Sequence, residues 1–156
     1  MSFKPARLDR VARSLTGAFF CAVALFAFLA LTGRSSLLGL AAGMAGIGLA
    51  SALIAPRAYV FDDGGLTVER GFGVLRVDGP LRVEEVEAQT LSGGKLLGTG
   101  GLFGYLGAFR PGQGVRFASA LTTKDGALLV RGRTGGVLIS PEDHDVFLSI
   151  VRKPDE

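Results

Sequence analysis

The chain contains no tryptophan, one cysteine (Cys21) and one histidine (His144). A lone cysteine forms no intrachain disulfide, and one histidine leaves no His/Cys set with zinc-ligand spacing. Cys21 falls in an uncharged apolar run, where a thiol is most simply a small packing residue. Nucleophilic catalysis is equally short of parts, because a serine without a neighbouring base stays inert. His144 stands among Glu142, Asp143 and Asp145, in what reads as the acidic first turn of a helix, where acids complement the helix dipole. Asp62, Asp63, Glu84, Glu85 and Glu87 fall in turns or at strand edges typical of solvated faces. The expectation is a protein without catalytic activity, cofactor or metal.

Charge is absent from two long stretches. Leu15 to Thr32 and Leu37 to Ala55 hold no Asp, Glu, Lys, Arg or His, and only Gly33-Arg34-Ser35-Ser36 separates them. A bilayer core of about 30 Å needs ~20 helical residues, and each stretch fits that length. A buried helix pair in a soluble protein would show a polar stripe at helical period, which these lack. A secretory leader is the competing reading, but the first run exceeds the usual h-region of ~7 to 15 residues and a second span follows at once. The pattern predicts a transmembrane helical hairpin. With no ionisable residue inside either span, and only two spans, a transport path is excluded as the main role.

Lys4, Arg7, Arg10 and Arg13 against Asp9 account for the whole formal charge of +3, so the rest of the chain is net neutral. That neutrality argues against nucleic-acid binding, which needs a basic face. The basic residues before the first span and Arg57 after the second, against Arg34 alone in the turn, place both termini in the cytoplasm. The N-terminal segment, residues 1–13, then reads as a topological anchor on anionic headgroups. Within the hairpin, residues 14–56, Gly39 and Gly43 form a GxxxG pair, and Gly46 joins a parallel small-residue stripe. Helices in lipid associate by close packing, so Gly39, Gly43 and Gly46 are expected at the contact with the first span.

From Pro56 onward Gly-rich turns punctuate short runs of Val, Leu, Phe and Thr, the pattern of an antiparallel β-domain. Strands are expected at Tyr59 to Phe61, Leu66 to Glu69, Val74 to Val77, Leu81 towards Leu91, Val115 to Thr122, Ala127 to Arg131 and Gly136 to Ile139, about seven in all. Ser140, Pro141 and Asp143 read as cap, first position and capping-box acid of a closing helix. Phe147, Ile150 and Val151 give that helix one apolar face. The fold class expected is α+β: a membrane hairpin, then a small bent sheet or barrel over residues 57–152 closed by a C-terminal helix, with a tail at 153–156.

The run Gly98-Thr-Gly-Gly-Leu-Phe-Gly-Tyr-Leu-Gly-Ala-Phe-Arg110, the later Val137-Leu-Ile-Ser-Pro-Glu-Asp143 and the opening Asp63 to Arg70 together resemble the bacterial pleckstrin-homology-like (PH-like) domains, in the form preceded by a two-helix membrane hairpin. The resemblance implies a seven-stranded, strongly bent sheet capped by a C-terminal helix and no shared catalytic set; the two spans themselves are expected in the inner (cytoplasmic) membrane. Gly79-Pro80-Leu81 stands where that family often has a Pro-Trp pair.

The glycine-rich run matches neither a dinucleotide fingerprint nor a P-loop, since its last Gly comes one residue late and no Gly-Lys-Ser or Gly-Lys-Thr follows. It reads instead as a long connection between strands. Its apolar residues need cover, from the domain's core, the membrane interface or a partner. Phe103 and Phe109 are expected inward, and Tyr105 nearer the surface, because a phenol tolerates a wet boundary. The leading function is a membrane-tethered interaction or scaffold module that docks a protein partner or a second copy. The alternative is anionic-lipid recognition, with Phe103, Tyr105 and Phe109 inserting and Arg110 and Arg116 meeting headgroups. An uncharacterised enzyme is the third class.

Overall fold

The computed structural model describes residues 1–62, 64–88, 91, 95–110, 117–133 and 135–151. Helices α1 (Arg10–Leu31) and α2 (Leu37–Ile54) form where charge is absent, and both are long and apolar enough to cross a membrane. The short turn between them makes them antiparallel neighbours. Helix α1 starts about a turn before the uncharged run, because Asp9 caps it: the Asp9 Oδ1 accepts a hydrogen bond from the Ala12 N–H at 2.7 Å.

The hairpin packs through a different face from the expected one. Gly39, Gly43 and Gly46 are exposed, with open space where a Cβ would stand. A Cβ at Gly48 would instead lie 2.9 Å from the Phe19 ring, and Ala41, Gly48 and Ser51 are the buried residues of α2. At 100° per residue the stripe Ala41, Gly48, Ser51 lies roughly opposite Gly39, Gly43 and Gly46. The bulky partner on α1 decides the face, since Phe19 seats its ring over the one glycine that turns towards it.

The rest of the described chain forms β1 (Ser2–Phe3), β2 (Pro56–Asp62), β3 (Gly65–Arg70), β4 (Val74–Asp78), β5 (Arg82–Val86), β6 (Lys95–Gly100), β7 (Tyr105–Arg110), β8 (Phe117–Leu121), β9 (Ala127–Arg131), β10 (Gly136–Ile139) and α3 (His144–Val151). One sheet has the order β1-β2-β3-β4, the other β5-β9-β10-β8-β7-β6. Between them lies a core of Phe3, Tyr59, Leu66, Val68, Val77, Leu128, Val130, Val137 and Ile139, onto which α3 lays Phe147 and Leu148, with Ile150 and Val151 partly buried beside them. The six-stranded sheet is apolar on its other face too, where Tyr105, Phe109, Phe117, Leu121, Leu129 and Leu138 gather with Leu91. This explains the unbroken burial of Ala127 to Val130, a pattern of strands covered on both faces.

The expected strands are present, with β5 ending at Val86, and three more join them. The glycine-rich run is no loop: it is the antiparallel hairpin of β6 and β7, paired from Lys95↔Arg110 to Gly100↔Tyr105. Any Cβ at Gly98 would strike the Leu106 carbonyl oxygen, and one at Gly104 that of Leu121, so glycine is what lets these backbones approach. The third extra strand is β1, supplied by the segment expected to be a charged anchor. The connection after β8 also differs from a hairpin, since β10 runs parallel to β8 and separates it from β9. Ser140 does not cap α3: its hydroxyl accepts from the Thr122 N–H at 2.9 Å, while Asp143 stands before the helix and its carbonyl accepts from Phe147 N at 3.0 Å. Residues 153–156 lie outside the described residues.

Replacing Gly48 with Ile should overpack the Phe19 contact and lower hairpin stability by about 1 to 3 kcal/mol. The same change at Gly43 should leave the thermal melting of the purified protein in detergent unaltered. Equal effects at both positions would contradict the observed face.

Candidate membrane interface

Strand directions define two ends of the β-domain. Strand β2 begins at Pro56, directly after α2, so Pro56, Arg70 and Val74 mark the end beside the helices, and Asp62, Gly65 and Asp78 mark the distal end. The contacts with the helices themselves lie at the near end, which the N-terminal segment reaches after starting beside Phe61 at the distal end.

The first join is the N-terminal segment, which runs over the domain as a strap. The Met1 amino group donates to Phe61 O at 2.6 Å, and Phe61 N donates to Met1 O at 2.7 Å. Phe3 is buried, its ring edge-on to Phe147 at 5.1 Å. Further along, Glu142 N donates to Lys4 O at 2.9 Å, Ala6 N to Ser140 O at 2.8 Å, and the Thr122 hydroxyl to Ala6 O at 2.6 Å. Buried polar groups are costly unless paired, and here Thr122, Ser140 and Tyr59 satisfy one another. The Tyr59 hydroxyl donates to Ala120 O at 2.7 Å and accepts from Ser140 N at 3.4 Å. Burial pushes its phenol up to about 12 from the ordinary 10.0.

The strap ends at Asp9, whose carboxylate faces both ways. One oxygen caps α1, and the other accepts from the Tyr105 hydroxyl at 3.0 Å. Lys124 lies over the Tyr105 ring, with Nζ 4.7 Å from its centroid. Burial first, then the hydrogen bond to Asp9 and the charges of Asp9 and Asp125, raise the Tyr105 phenol to about 12.

The β6–β7 hairpin makes the next join. Its turn rests on α1, with Gly101 against Leu15 and the Phe103 ring edge-on to Phe20 at 5.8 Å. Thr16 serves the turn's backbone: its hydroxyl accepts from Phe103 N at 3.0 Å and reaches Gly101 O at 3.4 Å, while Gly101 N donates to Gly104 O at 3.0 Å. These bonds satisfy peptide groups of the turn that packing against α1 removes from water. Phe103 holds a positive φ of 56°, unusual for a residue with a Cβ. The last join is the turn at Gly71 to Gly73, where Phe72 N donates to Leu53 O at 2.8 Å in the final turn of α2.

The expected contact residues are thus divided. Phe109 is buried, as expected, but Tyr105 and Phe103 exchange places: Tyr105 is buried and Phe103 is half-buried against α1. The phenol goes inward because Asp9 gives its hydroxyl a partner there, whereas Phe103 sits at the apex of the hairpin, out of reach of the core. Arg110 ends β7, and Arg116 lies outside the described residues. Asp9, Thr16 and Phe72 were missed; an acid placed before an apolar run was the one available signal, and it marked Asp9 as a cap.

His144 lies on α3 with Nδ1 3.3 Å from Asp145 Oδ1, near Gly126. Among the described residues no three or more His, Cys, Asp or Glu side chains gather into a group fit to hold a metal ion. A family model described as Bacterial PH domain matches residues 57–153. No curated protein and no solved structure matches the chain.

The chain has two tyrosines, so alkaline titration followed by tyrosinate absorbance resolves both. A phenol raised in the folded state stabilises the fold fully below pH 10.0, and that contribution is lost as pH rises through about 12. Little tyrosinate should therefore form before about pH 12 while the fold persists. Asp9→Ala should shift only Tyr105 downward and cost about 1 kcal/mol or more through the lost cap. An unmoved Tyr105 would contradict the Asp9 contact.

Proposed function

Because the chain belongs to the bacterial PH-domain family, and its two apolar helices are candidate membrane spans, we propose that it is a membrane-tethered cytoplasmic interaction module without catalytic activity. The observation that carries this reading is the strap: residues 1–9 pair with the β-domain and lead directly into α1, while β2 leaves directly from α2. Domain and hairpin are therefore held at two points, and the domain has a fixed height and orientation on the bilayer. A scaffold needs such placement, for it presents its distal end, with the β2–β3 and β9–β10 turns, to a protein partner or to a second copy. The excess of basic residues at the near end supports cytoplasmic termini in the inner membrane, since Lys4, Arg7, Arg10, Arg13 and Arg57 all belong to it. Residues 14–56 then form the membrane unit and residues 57–152 the docking unit, with the strap of residues 1–13 belonging structurally to both.

Anionic-lipid recognition is the second reading, and the contact of Phe103 with Phe20 of α1 favours it, because it brings an aromatic side chain of the domain onto a candidate span.

With Cys21 replaced by Ala, a cysteine at Ser35 should react with an impermeant maleimide added to intact cells, and one at the exposed Glu142 should not. The reverse pattern would overturn the orientation. A photo-crosslinking residue at Asp62 or Arg133 should give a discrete protein adduct in cells. Adducts with lipid alone, formed only from Phe103, would move the second reading ahead of the first.

A further inference from the structure

The turn at the end of α2 has features that packing does not explain. Phe72 is 75 % exposed and Val74 64 % exposed, the two most exposed large apolar side chains of the β-domain among the described residues. The hydrogen bond from Phe72 N to Leu53 O fixes this turn at the last helical turn of a candidate span, one residue before its end at Ile54. An aromatic ring held at that level meets the headgroup region if α2 crosses the bilayer.

Two arginines flank the ring. The Arg57 guanidinium lies along the backbone of Gly71, where a Cβ would stand 2.9 Å from its Nη2, and Arg70 Nη2 stands 3.5 Å from the Cβ position of Gly73. Gly71 thus lets the Arg57 guanidinium close on the turn, while Gly73, at a φ of 71°, supplies its left-handed backbone. Among the described residues no carboxylate comes within 4.0 Å of either arginine. Arg70 Nε is enclosed and has no hydrogen-bond acceptor, a costly state for a charged group's donor. The C-terminus of α2 carries roughly half a negative charge, which two guanidinium groups outweigh, and one of its free carbonyls is already taken by Phe72 N.

We propose that Arg57, Arg70 and the Gly71-Phe72-Gly73 turn form a seat for the phosphate of an anionic glycerophospholipid in the leaflet beside the domain, with Phe72 inserted at the acyl boundary. Planar guanidinium forks match phosphate oxygens, which would accept from the Nη groups of Arg57 and Arg70 at the turn. The site is separate from the Phe103 contact on α1, and it rests on the reading that the helices span the membrane.

The absence of tryptophan makes the test direct, because Phe72→Trp creates a single indole that can be excited apart from the two tyrosines in the full-length chain. The purified protein is reconstituted in phosphatidylcholine vesicles carrying an equal fraction of either brominated phosphatidylglycerol or brominated phosphatidylcholine. The indole should be quenched by both, and more by phosphatidylglycerol, with local enrichment of about five-fold per arginine, equivalent to about 1 kcal/mol. Arg57→Gln and Arg70→Gln in the Phe72→Trp background should each reduce that preference while leaving the common quenching. Arg57 is exposed, so its variant carries the test if Arg70→Gln does not fold. Equal quenching by the two lipids overturns the phosphate seat, and so does loss of the preference on adding inorganic phosphate, which would mean a soluble anion site. No quenching at all, while Phe28→Trp within α1 is quenched, places the turn off the bilayer and overturns the proposal alone. If Phe28→Trp is also unquenched, the membrane reading falls and the proposal with it.

Discussion

The carboxylate of Asp9 is the joint on which the arrangement turns. Its Oδ1 caps a helix that is a candidate membrane span, and its Oδ2 accepts from Tyr105 in the β-domain. A hydrogen bond to a charged group is worth about 1.5 to 3 kcal/mol, more than an ordinary surface contact, and here one group spends both its oxygens on different units. Tyr105 is buried with that bond in place, and it begins β7 directly above the turn that rests on α1. The start of α1 and a buried residue of the larger sheet therefore meet at a single side chain.

Two consequences follow for the domain as a tethered module. The strap returns the N-terminus to the sheet, so Met1 and helix α3 both lie with the β-domain at one end of the helical hairpin. The two hairpin tips, at Phe72 and Phe103, stand beside α2 and α1 respectively, so the domain meets the helical hairpin through two turns and two helix ends. A body held in that way has little freedom to tilt. Its distal turns face away from the helices, as the proposed docking role requires.

Much of this was legible in the chain. Absence of charge marked both helices, and alternation with glycine turns marked seven strands, because those signals are local and each follows from burial of a face. The missed elements depend on pairing across long sequence separation. Ser2 and Phe3 carry no strand pattern in two residues, and only their register with Val60 and Tyr59 makes them one. The glycines at 98 and 104 looked like loop formers, yet they serve close approach to the Leu106 and Leu121 carbonyls, which no local rule discloses. Gly39, Gly43 and Gly46 had the right spacing for a contact but the wrong azimuth, because the position of Phe19 on the facing helix chooses the stripe. Ser140 had the right residue type for a cap, but its hydroxyl is claimed by Thr122 across the sheet.

The claim that strap, domain and hairpin form one body is tested most directly by a disulfide between Ser2→Cys and Val60→Cys, with Cys21 replaced by Ala. The two residues are cross-strand partners, and the flanking pair Met1 and Phe61 exchanges both backbone hydrogen bonds, so their side chains stand in the closer kind of antiparallel pair. Mild oxidation of the purified full-length protein should close the bond completely and raise the melting temperature. Failure to close it, or closure with a lowered melting temperature, would show that the N-terminal segment does not pair with β2 and would contradict the account.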